Sequence, residues 1–257
     1  MPHQTKLEIR PVSAWLTQLL RVTAFYRHPQ EFDISGWWEE LTGGSPEKDT
    51  NQPKTATRTI EGPLGESTLV LGKTPIIVEL RLLGSTESPK NIDGIPAVGG
   101  FEEECPVFLD LVRKLFKIQQ FPNIRRLAFG AVLNLSVVEY EQAMRQLEPY
   151  MKNVTIDAAN SRDFLYRINR IRPSTVGVSG LSINRVNVWS VVSYQSVLAG
   201  PGVGKPVSSK PQYACQLELD INTSQDFSDV LPTEKLGTIF EELVSMGTQI
   251  VAQGDVP

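Results

Sequence analysis

Histidine is nearly absent from this chain: His3 and His28 are the only two in 257 residues. The usual general base of hydrolytic enzymes is therefore in short supply, and any Ser–His or Cys–His pair would have to use His28. That residue sits beside Pro29 in a loop-like stretch with none of the strand–turn–helix pattern of a nucleophile elbow. Cysteine is as scarce. Cys105 and Cys215 lie far apart, without the spacing of a zinc site or a disulfide framework, and buried free thiols in a reducing compartment are expected. No run approaches about 18 consecutive apolar residues, so no membrane-spanning helix is expected. The opening MPHQTKLEIRP lacks an apolar core and a small-residue cleavage site, which makes a cytoplasmic protein the expectation. Positive charge is not in excess either; the net charge of -4 weighs against a dedicated nucleic-acid binder. No internal repeat is visible.

What the chain does have is an ordinary globular balance, 40% apolar and 21% charged, long enough to bury a core. Its most unusual stretch is Arg162–Leu198, two long runs rich in β-branched and aromatic residues joined by a short turn of Pro, Ser and Gly. It reads as a central hairpin of an antiparallel sheet, and a long exposed strand edge there would suit strand addition by a partner. Arginines interrupt it at 162, 167, 170, 172 and 185. On a strand Arg167 and Asn169 share one face, and Tyr166, Ile168 and Arg170 share the other. Such a face can contact phosphates and stack bases. It can also pair with acids inside the fold or meet another protein, and the net negative charge favours these two.

Elsewhere the periodicity predicts a helix over Val12–Ala24, from Val12, Trp15, Leu16, Leu19, Leu20 and Thr23 after Pro11. A short element around Gly36–Leu41 carries Trp37 and Trp38, either a core cap or a binding platform. Thr42–Thr55 reads as a mobile loop or linker. A β-meander follows over Thr57–Leu83, then a loop over Gly84–Gly100 and a helix over Glu102–Gln119 with acids at its start and bases at its end. A strand over Arg125–Leu135 leads to a helix over Val137–Met151, with Ser136 and Glu139 as its capping box. Tyr213–Asn222 alternates as a strand, and a last helix runs from Pro232 to Ala252.

Two motifs invite chemistry. Ala199–Pro206 (AGPGVGKP) is similar to a phosphate-cradling loop, but Ala199 replaces the first glycine and Pro206 replaces the Ser or Thr that would hold magnesium. A flexible strand-to-strand loop is the better reading. Glu218 and Asp220 share one face of a strand, where two carboxylates can bind a divalent ion; the bland alternative is the solvated face of an amphipathic strand.

Three segments carry a resemblance: SRDFLYRINRI (Ser161–Ile171), QLELDIN (Gln216–Asn222) and the closing helix to Ala252. Together they resemble an uncharacterised, sporadically distributed prokaryotic family of similar length, in which an RYINRI-like and an LDID-like strand precede a final helix. The likeness covers roughly the C-terminal 60% of the chain. Leu165 stands where that family more often has a charged residue, and the Trp37–Trp38 segment has no counterpart. The resemblance implies an accessory protein of a prokaryotic cytoplasm and carries over no catalytic residue.

The expectation is an α+β fold, a mostly antiparallel sheet with helices packed on one face. Residues 1–55 are expected as an N-terminal arm with linker and 56–257 as the main domain. The expected function is a non-enzymatic accessory or scaffold subunit in a prokaryotic system, such as a defence system. Its partner would be another protein encoded nearby, or a second copy, met through Arg167, Arg170, Arg185, Trp37 and Trp38. No cofactor is expected. The alternatives are a divalent-metal enzyme using Glu218 and Asp220, and a single-strand nucleic-acid-binding module.

Overall fold

The structure, a computed structural model, describes residues 8–27, 32–84, 95–195, 197–198, 207–208 and 211–256. The elements in chain order are β1 (Leu16–Phe25), α1 (Trp37–Thr42), β2 (Lys48–Gln52), β3 (Thr57–Leu64), β4 (Ser67–Lys73) and β5 (Ile77–Gly84). Then come β6 (Gly99–Gly100), α2 (Phe101–Leu115), β7 (Arg126–Val137), α3 (Tyr140–Leu147), β8 (Leu165–Pro173) and β9 (Ser182–Tyr194). The chain continues with β10 (Val197–Leu198), β11 (Val207–Ser208), β12 (Gln212–Thr223) and α4 (Leu236–Gln253). Ten strands form one sheet in the order β2-β3-β4-β5-β1-β7-β12-β9-β8, with β6 paired to the start of β1. Every ladder in it is antiparallel. The α+β class and the large antiparallel sheet are as the sequence implies.

Period-two alternation sorts the central strands onto two faces. Leu127, Phe129, Ala131, Leu133 and Leu135 of β7 are buried beside Cys215, Leu217, Leu219 and Ile221 of β12. Helices α2, α3 and α4 cover this side. Phe240 of α4 is the hub, its ring 5.8 Å from Phe129, 6.4 Å from Phe108 and 6.1 Å from Phe116. Gly247 lets α4 approach closely, since a Cβ there would lie 2.9 Å from the Phe129 ring. At the far end Trp15, Tyr150 and Trp189 form a second aromatic cluster, with ring centroids 4.9 to 6.0 Å apart. Fully burying each such side chain stabilises the fold by about 1.5–3 kcal/mol.

The structure corrects the reading of the N-terminal segment. Residues 16–25 form β1, a central strand between β5 and β7, rather than a helix. A bulge between Thr17 and Leu19 shifts the register, so Trp15 and Thr17 are buried before it and Leu20, Val22 and Ala24 after it. One phase change in a period-two pattern imitates helical spacing over a single window. Nor do the described residues of this segment form an arm with a linker: Lys48–Gln52 is edge strand β2, paired with β3. Ser136 lies within β7, and α3 starts only at Tyr140 after Glu139 at its cap. The Arg162–Leu198 stretch contributes an outer hairpin, β8 being the sheet edge, not a central one. The expected loop over 199–206, and His3 and His28, lie outside the described residues.

The segment after α4 is pinned under β8. Gly254, at φ +77, turns the chain so tightly that a Cβ there would clash with the Tyr150 carbonyl, and the Asp255 N–H donates to that carbonyl at 2.7 Å. Asp255, 2% exposed, accepts from Arg170 Nε at 2.6 Å, from Arg170 Nη2 at 2.8 Å and from the Tyr166 hydroxyl at 3.0 Å. The Arg170 hydrogen bonds are the largest influence holding its carboxyl below the usual carboxylate range. A depressed folded pKa means this carboxylate stabilises the fold fully above about pH 4, the unfolded value, and less as pH falls toward the folded one. Asp255→Ala is expected to lower unfolding free energy by about 3 kcal/mol at pH 7. Urea titration should show that deficit shrinking below pH 4; a deficit independent of pH would contradict the pairing.

Candidate functional site

The helices cover one side of the sheet, and the other is built from the alternate residues of the same strands. Across its middle the register aligns Arg81 of β5, Arg21 of β1, Gly130 of β7, Asp220 of β12, Val186 of β9 and Asn169 of β8. One residue pair along, Leu19, Val132, Glu218, Val188 and Arg167 form the neighbouring row. Gly130 has a specific purpose here. Arg21 lies across it, and a Cβ would stand 2.9 Å from Arg21 Nε. The side chain can therefore reach over β7 toward the β12 carboxylates.

A shallow depression of about 410 Å³ results, with Gly130, Val132, Val186 and Val188 as its floor. Arg21 and Arg167 stand in its walls with Glu218 and Asp220. A second one of about 390 Å³ adjoins it over Arg126, Asn184, Asn222 and Asp226, sharing Arg167 and Asp220.

Polar networks fix both ends of this surface. At one end Asn169 Nδ2 donates to Asn184 Oδ1 at 3.0 Å, and Asn184 Nδ2 donates to Asn222 Oδ1 at 3.1 Å. Arg126 Nη2 donates to the same oxygen at 3.1 Å, and Asn222 Nδ2 donates to Asp220 Oδ1 at 3.1 Å. Burial lowers the Arg126 pKa, opposed by the charge of Asp220. At the other end Gln216 Nε2 donates to Asn134 Oδ1 at 3.1 Å and to the Tyr194 hydroxyl at 3.2 Å, while Asn134 Nδ2 donates to Gln18 Oε1 at 3.0 Å. Burial raises the Tyr194 phenol above its ordinary range. Beside Arg21, Glu79 accepts from Thr23 at 3.1 Å and pairs with Arg81 at 3.0 Å. These cross-strand bonds hold the polar side chains of this face in fixed positions.

Of the residues expected to meet a partner, the fold leaves only Arg167 on this surface. Arg170 lies on the helix-covered side, bonded to Asp255. Arg185 is 1% exposed on that same side, with Nη1 donating to the Val256 carbonyl at 3.3 Å. Trp37 and Trp38 are buried, Trp37 stacked on Phe32 at 5.3 Å and Trp38 against Gly62. Parity explains the arginines: Arg185 pairs directly with Arg170, and residues opposite one another point to the same side of a sheet. The sequence reading missed Arg21 because it placed that residue on a helix, and missed Arg126 and Asn222 because neither stands out in composition. Only the pairing of β1, β7 and β12 brings them together.

Glu218 and Asp220 share a face, and among the described residues no group of three or more His, Cys, Asp or Glu gathers where it could hold a metal ion. No described helix is long and apolar enough to cross a membrane. The chain matches no protein-family model and no curated protein. Both thiols are buried, and burial pushes each up to about 12. Cys105 and Cys215 should therefore resist a thiol reagent at pH 8 in the folded protein and react fully in denaturant; rapid labelling of the folded chain would contradict their placement.

Proposed function

We propose that this protein is a non-enzymatic accessory subunit that docks another protein on the uncovered face of its sheet. The observation that carries this is the central depression, where Arg21, Arg167, Glu218 and Asp220 present both signs of charge around an apolar floor on a broad, open surface. A small-molecule site is usually a deep, mostly apolar pocket that encloses its ligand. A wide face with mixed, prepositioned charge suits a protein of complementary pattern, with acids to meet the arginines and a base to meet the carboxylates.

The alternatives fit less well. A strand of nucleic acid would meet two carboxylates in the middle of its path, and no aromatic side chain lines the depression for bases to stack upon. A metal enzyme would need further ligands beside Glu218 and Asp220. The likeness of Ser161–Ile171 and Gln216–Asn222 to a sporadically distributed prokaryotic family is consistent with an accessory role in the cytoplasm.

Tagged wild-type protein expressed in its native host should bring down one partner in fixed stoichiometry. The double variant R21E/E218R, which reverses one charge of each sign, should lose at least ten-fold of that partner. Both sites lie on the open face, so the variant should unfold at nearly the wild-type denaturant concentration. Retention of the partner by the variant, or no partner with wild type, would contradict the proposal. Magnesium binding by calorimetry that disappears in Asp220→Ala would favour the metal enzyme instead.

A further inference from the structure

The two edges of the sheet differ. β2 is five residues long, reads KDTNQ, pairs Lys48 with Glu61 at 2.7 Å and is followed directly by Pro53. Short, charged, proline-flanked edges resist pairing with other chains. β8 is nine residues long and reads LYRINRIRP. Among the described residues no strand pairs with its outer side. Leu165 and Ile171, 65% and 62% exposed, stand on the uncovered face of this edge, six residues apart with Ile168 midway.

From this symmetry we propose that β8 is a dimer interface, pairing antiparallel with β8 of a second copy about a twofold axis through Ile168. That register sets Leu165 of one copy opposite Ile171 of the other, Tyr166 opposite Arg170, Arg167 opposite Asn169, and Ile168 opposite itself. Each exposed apolar side chain covers the other, and no arginine faces an arginine. Neighbouring registers lack these matches. Centring on Arg167 or Arg170 places like charges directly opposite, which is destabilising. Centring on Asn169 sets Leu165 against Pro173 and Arg167 against Ile171, while centring on Tyr166 leaves Ile171 beyond the pairing.

Arginines on an edge normally discourage such contact. Here Arg170 is already neutralised by its two bonds to Asp255, Arg167 gains the Asn169 amide as its neighbour, and Arg172 falls opposite Phe164, just outside the paired strand. The seam would run about 30 Å at 3.4 Å per residue and satisfy the outward backbone groups of both edges. Because the axis is perpendicular to the sheet, the helices of both copies lie on one side and the two uncovered faces join on the other. The dimer does not rest on the docking role proposed above, since R21E/E218R leaves β8 intact and its effects are read separately.

Light scattering coupled to size exclusion, over a concentration series, tests this with three proteins. Wild type should be a dimer, L165K/I171K a monomer, and L165K/I171E a dimer again, because L165K of one copy then faces I171E of the other and the introduced charges are opposite. A monomeric wild type, a dimer that survives L165K/I171K, or no recovery in L165K/I171E would each overturn the proposal. Should the double-lysine protein fail to fold, Ile168→Cys decides. Mild oxidation should cross-link it into a covalent dimer while buried Cys105 and Cys215 stay silent, and the absence of that product would overturn the proposal.

Discussion

Phe240 meets Phe129, Phe108 and Phe116 where α4, β7, α2 and the segment after α2 converge, and that contact settles which side of the sheet is covered. Once α2 and α4 are anchored there, every alternate residue of β7 and β12 must be apolar and its neighbour is free to be polar. Phe→Ala in such a cluster costs about 3–5 kcal/mol, a large share of the stability of a single domain. The charged lattice of Arg21, Glu79, Arg81, Glu218 and Asp220 is a consequence of that one-sided burial. A one-residue slip of β12 against β7 would drive Glu218 and Asp220 into the aromatic core.

Legibility in the sequence follows the same physics. Strand β12 alternates cleanly from Cys215 to Asp220 and β5 from Val78 to Leu82, so their faces can be read directly, while β7 is legible from its large apolar residues at 127, 129, 133 and 135. Helices α2 and α4 announce themselves by acids, bases and Pro232. β1 cannot be read in this way. Its bulge at Thr17–Leu19 breaks the alternation, and because β1 runs between β5 and β7, misreading it also hides the sheet's width and the position of Arg21. Trp37 and Trp38 were legible as core or platform, and only their contacts with Phe32 and Gly62 choose between the two.

The arginines show how little composition says about role. Arg167, Arg170 and Arg185 lie within one stretch yet occupy three environments: open surface, ion pair and buried interior. Parity separates Arg167 from the others, and the Gly254 turn that delivers Asp255 separates Arg170 from Arg185. Arg185 is the costliest of the three to keep charged, and burial lowers its pKa. Its proximity to the Val256 carbonyl places it with the pinned end of α4, as part of the fold and apart from recognition.

Carboxyl footprinting tests the proposed docking face most directly, because Glu218 and Asp220 lie at its centre and Glu102, Glu103 and Glu241 lie on the helical side. In the purified protein Glu218 should label readily with a carbodiimide and amine. In the complex isolated from native cells, labelling of Glu218 and Asp220 should fall several-fold while the helical carboxylates remain unchanged. Protection of Glu102, Glu103 and Glu241 with Glu218 still labelled would place the partner on the helices and contradict the role assigned to the uncovered face.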